Sequence, residues 1–187
     1  MIHLHPYDAS DGVLRSSILS LLSEAFGEEG QPYYELAMEH LYDGKHTFLL
    51  SESEGTLLAV ALVVDYVDSS GGRWAYLYSF TTRRDRRGEG LMTRLYREVI
   101  EPRLVERGYR GACLVPATSS LVGFYKGWGF HLLRDAGDAI SIRPGQRATD
   151  YLIAAYGQPS IDNPLPFRMI KPFVPTVDHY RLVSPLD

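Results

Sequence analysis

Four arginines and two glycines fall within Arg83-Arg84-Asp85-Arg86-Arg87-Gly88-Glu89-Gly90, and together they could hold an anion. The apolar run Trp74 to Phe80 leads into the stretch, and Leu91, Leu95 and Val99, at helical spacing, lead out of it. Strand, glycine turn, helix is the expected order. Such a turn presents unpaired backbone N–H groups and the positive end of a helix dipole, which suits phosphate oxygens. Glycine lets the backbone come close to a ligand. Taken singly, Arg83, Arg84 and Arg86 read at least as well as a solvated surface cluster. The other reactive residue types carry less. The single cysteine, Cys113, lies in the apolar run Ala112 to Val115 and reads as a buried small hydrophobe rather than a nucleophile. His3, His5, His40, His46, His131 and His179 show no zinc-type spacing, so no metal is expected.

The elements that must position these residues can be read in outline. Residues 1–7 give a short first strand. Ser10 or Asp11 caps a helix over about 13–26, and Pro32 opens a second amphipathic helix that stops near Gly44. Thr47 to Ser51, Leu57 to Tyr66 and Arg73 to Thr82 read as strands with short connections, hence antiparallel neighbours. A helix from about Gly88 to Arg107 follows, kinked or divided at Pro102. Gly111 to Val115 reads as a strand parallel to the one before the helix. Thr118 or Ser119 caps a short helix bearing Phe124 and Tyr125, and Phe130 to Leu133 starts another strand. Ala139 to Arg143 and Phe167 to Ile170 are further strand candidates, with a helix over Asp150 to Tyr156 capped by Thr149. Seven of the eleven prolines lie between Pro144 and Pro185, so this end reads as mostly turns and extended chain. The length of 187 residues fits one domain, 1–187, with the proline-rich region 144–187 completing or decorating the sheet. A net charge of −4 argues against nucleic-acid binding. Neither a signal peptide nor a membrane-spanning run is visible, so the expected location is cytoplasmic.

A dinucleotide-binding turn would need a further glycine where Thr93 and Arg94 stand, and a P-loop would need Gly-Lys-Ser/Thr. Arg87-Gly88-Glu89-Gly90-Leu91-Met92 instead resembles the Arg/Gln-x-x-Gly-x-Gly/Ala signature of the GNAT superfamily of acyl-CoA N-acyltransferases. Gly123-Phe124-Tyr125-Lys126-Gly127-Trp128-Gly129-Phe130 is similar to that family's later motif, a short helix bearing Phe/Leu-Tyr and ending in Gly-Phe. The two motifs cover about residues 47–134. Met92 departs from the pattern, standing where the family usually has Gly or Ala, and Glu89 takes a place that is often basic.

The resemblance implies an α+β, three-layer α/β/α fold. Its central sheet is mixed and mostly antiparallel, with one splayed parallel strand pair. It implies an N-acetyltransferase with acetyl-CoA as donor and a small-molecule, protein or peptide amine as acceptor, acting by direct attack in a ternary complex. The pyrophosphate is expected on the turn formed by Arg87, Gly88, Glu89, Gly90, Leu91 and Met92. Main-chain groups at Phe80, Thr81 and Thr82 are expected to hold the pantetheine arm and polarise the thioester carbonyl. Tyr125 is the expected general acid toward the leaving thiolate. No general base is readable: Glu24, Glu28, Glu35, His40 and His46 border the acceptor side, each reading better as a surface group. Tyr76 and Tyr78 make one strand face aromatic, which would line either an acceptor pocket or the core. The acidic balance favours a cationic or neutral amine over an anionic one. Dimerisation is common in the family, and the proline-rich end is the candidate source of an interface. The competing reading, favoured by Met92 and Glu89, is a non-catalytic acyl-CoA-binding or regulatory module.

Overall fold

A computed structural model describes residues 1–132, 142–159 and 168–173. The long strand β3 (Leu57–Asp68) is the spine of the sheet. Its side chains alternate: Ala59, Ala61 and Val63 enter one core, and Val60, Leu62 and Val64 the other. A strand buried on both faces needs helices on both, and the chain supplies them. On the first side lie α3 (Leu91–Leu95), α4 (Glu101–Glu106) and α5 (Val122–Gly127). On the second lie α1 (Gly12–Phe26), α2 (Gln31–His40) and α6 (Gln146–Tyr156). This is the expected three-layer arrangement.

The remaining strands are β1 (Ile2–His5), β2 (Thr47–Glu52), β4 (Arg73–Thr82), β5 (Gly111–Leu114), β6 (His131–Leu132), β7 (Ile142–Pro144) and β8 (Met169–Pro172). They run in the order β1-β2-β3-β4-β5-β8-β6, with β7 paired to β3 off that path. Every pairing is antiparallel except β4 with β5. That pair stays in register only from Trp74↔Gly111 to Tyr76↔Cys113, and beyond it the two strands part. Strand β8 inserts between β5 and β6.

Some boundaries differ from the sequence reading, each for a local reason. Asp11, not Ser10, caps α1: its carboxylate accepts from the N–H groups of Val13 and Leu14 at 2.9 Å. The helix after the glycine turn starts at Leu91, because Gly88 and Gly90 hold positive φ of 84° and 73°. Pro102 does not break it. A π turn over Tyr96–Ile100 separates α3 from α4 and sets Pro102 in the first turn of α4, where a missing N–H is tolerated. Helix α6 begins at Gln146, four residues before the expected start at Asp150. Thr149 lies inside it, and its hydroxyl donates back to the Gly145 carbonyl at 2.9 Å instead of capping. Thr118 makes no side-chain cap either; a 3-10 turn over Ser119–Leu121 leads into α5. Leu133, residues 139–141 and Phe167, assigned above to strands, lie outside the described residues, as does the tail 174–187.

Candidate active site

The site is built where β4 and β5 diverge. β4 carries a bulge just there: Val60 faces Thr81 and Leu62 faces Tyr78, so Ala61 alone opposes both Ser79 and Phe80. Ser79 has a φ of 54°, the one non-glycine residue in the left-handed region among the described residues. Such backbone strain concentrates at ligand-contacting sites. A bulge takes one residue out of the ladder, which leaves main-chain polar groups free to face a ligand. Phe80 is half-buried, its ring 6.4 Å from that of Trp128, while Thr81 is buried. The Tyr42 phenol is buried beside Ser79 and Tyr78 and backs the bulge from the other face.

The turn follows at once. The Thr82 carbonyl accepts from Arg87 Nε at 3.0 Å, which ties the turn to the strand end. A Cβ added at Gly88 or Gly90 would meet nothing within 4 Å. Glycine is therefore required there by the positive φ, and the space above the turn is open to a ligand. Leu91 is buried in the first core, so it can offer a ligand only its main chain. Met92 packs against that same core and does not fill the turn. Glu89 faces Arg86, with Nε–Oε1 2.8 Å and Nη2–Oε2 3.0 Å, and so turns its carboxylate onto a cation. Arg86 also pairs with Glu52, and Arg83 with Asp85 at 2.6 Å. The Arg84 N–H donates to Glu24 Oε2 at 2.9 Å. The guanidiniums of Arg83 and Arg86 are thus met by the carboxylates of Asp85, Glu52 and Glu89, whereas Arg84 reaches the Glu24 carboxylate only through its backbone N–H and Arg87 bonds to the Thr82 carbonyl. Carboxylates therefore offset the charge of Arg83 and Arg86 only, and the backbone N–H groups of the turn are the candidate for holding an anion.

Tyr125 is carried on α5, and packing against the first core fixes it there. Trp128 stacks on Tyr96 at 4.5 Å and 6°, donates from Nε1 to Thr93 Oγ1 at 3.2 Å, and lies edge-on to Tyr125 at 5.3 Å. Arg97 donates to the Gly127 carbonyl at 2.6 Å, and Lys171, paired with Glu101 at 2.7 Å, donates to the Trp128 carbonyl at 2.8 Å. Burial raises the Tyr125 pKa above its ordinary value of 10, with no neighbouring charge or hydrogen bond contributing. The phenol therefore stays protonated and able to donate.

The opposite face of the gap opens into a cavity of about 310 Å³, lined among others by Tyr66, Tyr76, Tyr78, Tyr151, Cys113 and Val115. Tyr76 and Tyr78 both line this cavity and pack against the second core. Burial pushes the Cys113 thiol up to about 12, so it is neutral at working pH. None of Glu24, Glu28, Glu35, His40 and His46 lines this cavity. His46 is held between Asp43 (2.9 Å) and Asp65 (3.6 Å), and the His40 carbonyl accepts from Arg147. Glu35 accepts from Gln31 at 3.4 Å. Trp128, Tyr151 and Tyr42 line or back this region, and the sequence did not single them out. Only Trp128, flanked by two glycines in the second motif, carried a local signal.

A strained bulge at the mouth of a splayed parallel strand pair, followed by a glycine turn at a helix start, defines an acyl-CoA-binding α/β fold of the N-acetyltransferase type. The family model described as the acetyltransferase (GNAT) family matches residues 15–130, and the chain belongs to that family. Among solved structures, a GNAT-family acetyltransferase from Staphylococcus aureus Mu50 superposes with a TM-score of 0.61 at 15% identity, covering 92% of this chain and 99% of that one. A GNAT-family acetyltransferase from Brucella melitensis in complex with acetyl-CoA gives 0.55 at 16% identity, over 97% and 94%. A GCN5-related N-acetyltransferase from Kribbella flavida gives 0.56 at 18% identity over 72% of this chain; the match spans 34% of that longer protein. No curated protein matches by sequence. Among the described residues no group of three or more histidine, cysteine or acidic side chains is placed to hold a metal ion, and no helix is long and apolar enough to cross a membrane.

Proposed function

We propose that the protein transfers the acetyl group of acetyl-CoA to a primary amine by direct attack within a ternary complex. The observation that carries this reading is that Tyr125 packs on the first core beside Trp128, whose ring lies near Phe80 at the bulge, while the tyrosine-lined cavity lies on the other face of β4. In this reading the turn Arg87–Met92 takes the pyrophosphate on its backbone. The strand end Phe80–Thr82 orients the pantetheine arm, and main-chain groups at the bulge face the carbonyl oxygen as it gains charge. Tyr125 donates a hydrogen bond, and then a proton, to the departing sulfur. Cys113 supports no acyl-enzyme, because a neutral thiol is a poor nucleophile.

Deprotonation of the amine follows from the cavity itself. An ammonium of pKa about 10.4 costs about 4.6 kcal/mol to deprotonate at pH 7. A wall of tyrosine and aliphatic side chains, with no carboxylate among its described residues, penalises the ammonium and favours the free amine, which lowers that cost on binding. The features that favoured a non-catalytic module have lost their weight, since Met92 packs on the core and Glu89 pairs with Arg86. Calorimetry with acetyl-CoA, followed by thiol release over a panel of amines, tests the proposal. Micromolar binding with turnover of at least one amine supports it. Binding without turnover of any amine would leave the acyl-CoA-binding module as the better description.

A further inference from the structure

The cavity has a polarity that the net charge of −4 conceals. Among its described lining residues there is no carboxylate and no imidazole, and Arg168 is the one permanent charge. A cationic acceptor would find no counter-ion among these residues. Arg168 directly precedes β8, whose Met169 pairs with Leu114, so Arg168 stands level with Val115. That is the height at which β4 and β5 separate, just beyond Tyr76↔Cys113. Strand alternation puts Arg168 on the same face as Ile170 and Cys113, toward the cavity, and its charge is felt at Tyr66, Tyr76 and Cys113. No carboxylate among the described residues pairs with it. From Tyr78 and Val115 at the gap, the cavity runs past the stacked pair Tyr66 and Tyr76 (5.0 Å) toward Pro144.

We infer that the acceptor is an α-amino acid with an aromatic or large apolar side chain, a reading that rests on the N-acetyltransferase function proposed above. The guanidinium of Arg168 matches a carboxylate and can bind it through two parallel hydrogen bonds. Arg168 and the gap share one level, so carboxylate and amine must be close neighbours in the acceptor, as they are on one α-carbon. The side chain then runs down the cavity, where flat apolar surface meets tyrosine rings. A volume of about 310 Å³ lies at the small end of ligand pockets and suits one such molecule. The positive charge of Arg168 also disfavours the ammonium form beside it, which helps to free the lone pair. That lone pair forms the C–N bond as the C–S bond breaks. The amine loses one proton, the departing thiolate takes one, and the products are an N-acetylamino acid and coenzyme A.

Three acceptors separate the outcomes: L-phenylalanine, phenethylamine (the same skeleton without its carboxylate) and spermidine. With acetyl-CoA saturating, kcat/KM for L-phenylalanine is expected to exceed that for phenethylamine by about tenfold or more, with no turnover of spermidine. Arg168→Ala should cut the ratio of the first two by about tenfold or more, mostly through KM, and Arg168→Lys should fall between. Arg168 is exposed, so the variants are expected to fold, which circular dichroism checks. A preference for phenethylamine or spermidine, or a ratio that Arg168→Ala leaves unmoved, would overturn the inference. If acetyl-CoA binds by calorimetry and neither L-phenylalanine nor L-leucine is acetylated, the amino-acid class is wrong while the acetyltransferase reading stands. If acetyl-CoA does not bind at all, the function itself falls.

Discussion

At Gly90 a φ of 73° leaves little room for any other residue type, and the open space above it makes the consequence functional as well as local. Gly90→Ala should cost about 1 kcal/mol from the left-handed conformation alone. It should also weaken acetyl-CoA by about tenfold, since the first N–H groups of the helix would be re-aimed. The arginines should behave differently. Arg83 is held by Asp85, so Arg83→Ala is expected to change acetyl-CoA affinity by less than about threefold in calorimetry. A loss of tenfold or more there would return the anion-binding role to the side chains. With Tyr125 as the proposed general acid, its burial-raised pKa is expected to set the upper limb of the rate profile. A group that must be protonated, with a pKa above 10, leaves the rate undiminished until the pH passes that value. The kcat profile should therefore rise as the amine is deprotonated and show no fall below about pH 10; stopped assays with the rates of local unfolding checked in parallel would read it. These residue types were legible in the sequence, because glycine pairs and a tyrosine on a short helix form local patterns. The pairing of Arg86 with Glu52 was not, because Glu52 comes from a distant segment.

Elements aim these groups, and β4 is the one under strain. Its limits, Arg73–Thr82, coincide with the sequence reading, since the apolar run is bounded by a glycine loop and the arginine turn. The bulge inside it leaves no mark in composition, as Ser79 is an ordinary strand-end residue until its φ of 54° is seen. A β-branched side chain is poorly tolerated in that conformation. Ser79→Val is expected to lower stability by about 1–2 kcal/mol and to reduce kcat by more than it weakens acetyl-CoA binding, as chemical denaturation and calorimetry would show. Equal losses in both would mean that the bulge serves folding alone. The π turn over Tyr96–Ile100 was hidden for a similar reason: Pro102 announces an interruption, but not that one extra residue in the turn absorbs it. Helix α6 was misplaced at its start because Gly145 offers no side-chain cap to read.

The whole molecule is fastened at the end of the sheet away from the gap by contacts between residues far apart in the chain. Asp43, His46, Asp65, Arg73, Tyr109 and Arg147 form one network that joins α2, β3, β4 and α6. No local pattern could show it, and His46 in particular looked like a free surface base. Its two carboxylates, foremost Asp43 as acceptor of a hydrogen bond from the ring, raise the His46 pKa to about 9, while hydrogen bonds from His46 and Tyr109 outweigh burial and lower Asp65 to about 2. For His46 the folded value lies above the unfolded one, so its contribution is complete below about pH 6.5 and is lost as the pH rises through 9. For Asp65 the order is reversed: its contribution is present above about pH 3.9 and is lost as the pH falls through 2. Thermal melts should peak between about pH 4 and 6.5, and His46→Gln should flatten the alkaline limb. Such a scaffold leaves the gap between β4 and β5 as the place where the two faces of the sheet communicate. Single-turnover and steady-state acetyl transfer by Tyr125→Phe, with the acetyl-CoA Kd measured on the same protein, tests that arrangement. A fall in kcat of about 100-fold with Kd changed less than about threefold is expected. A variant that acetylates its acceptor at the full rate would contradict it.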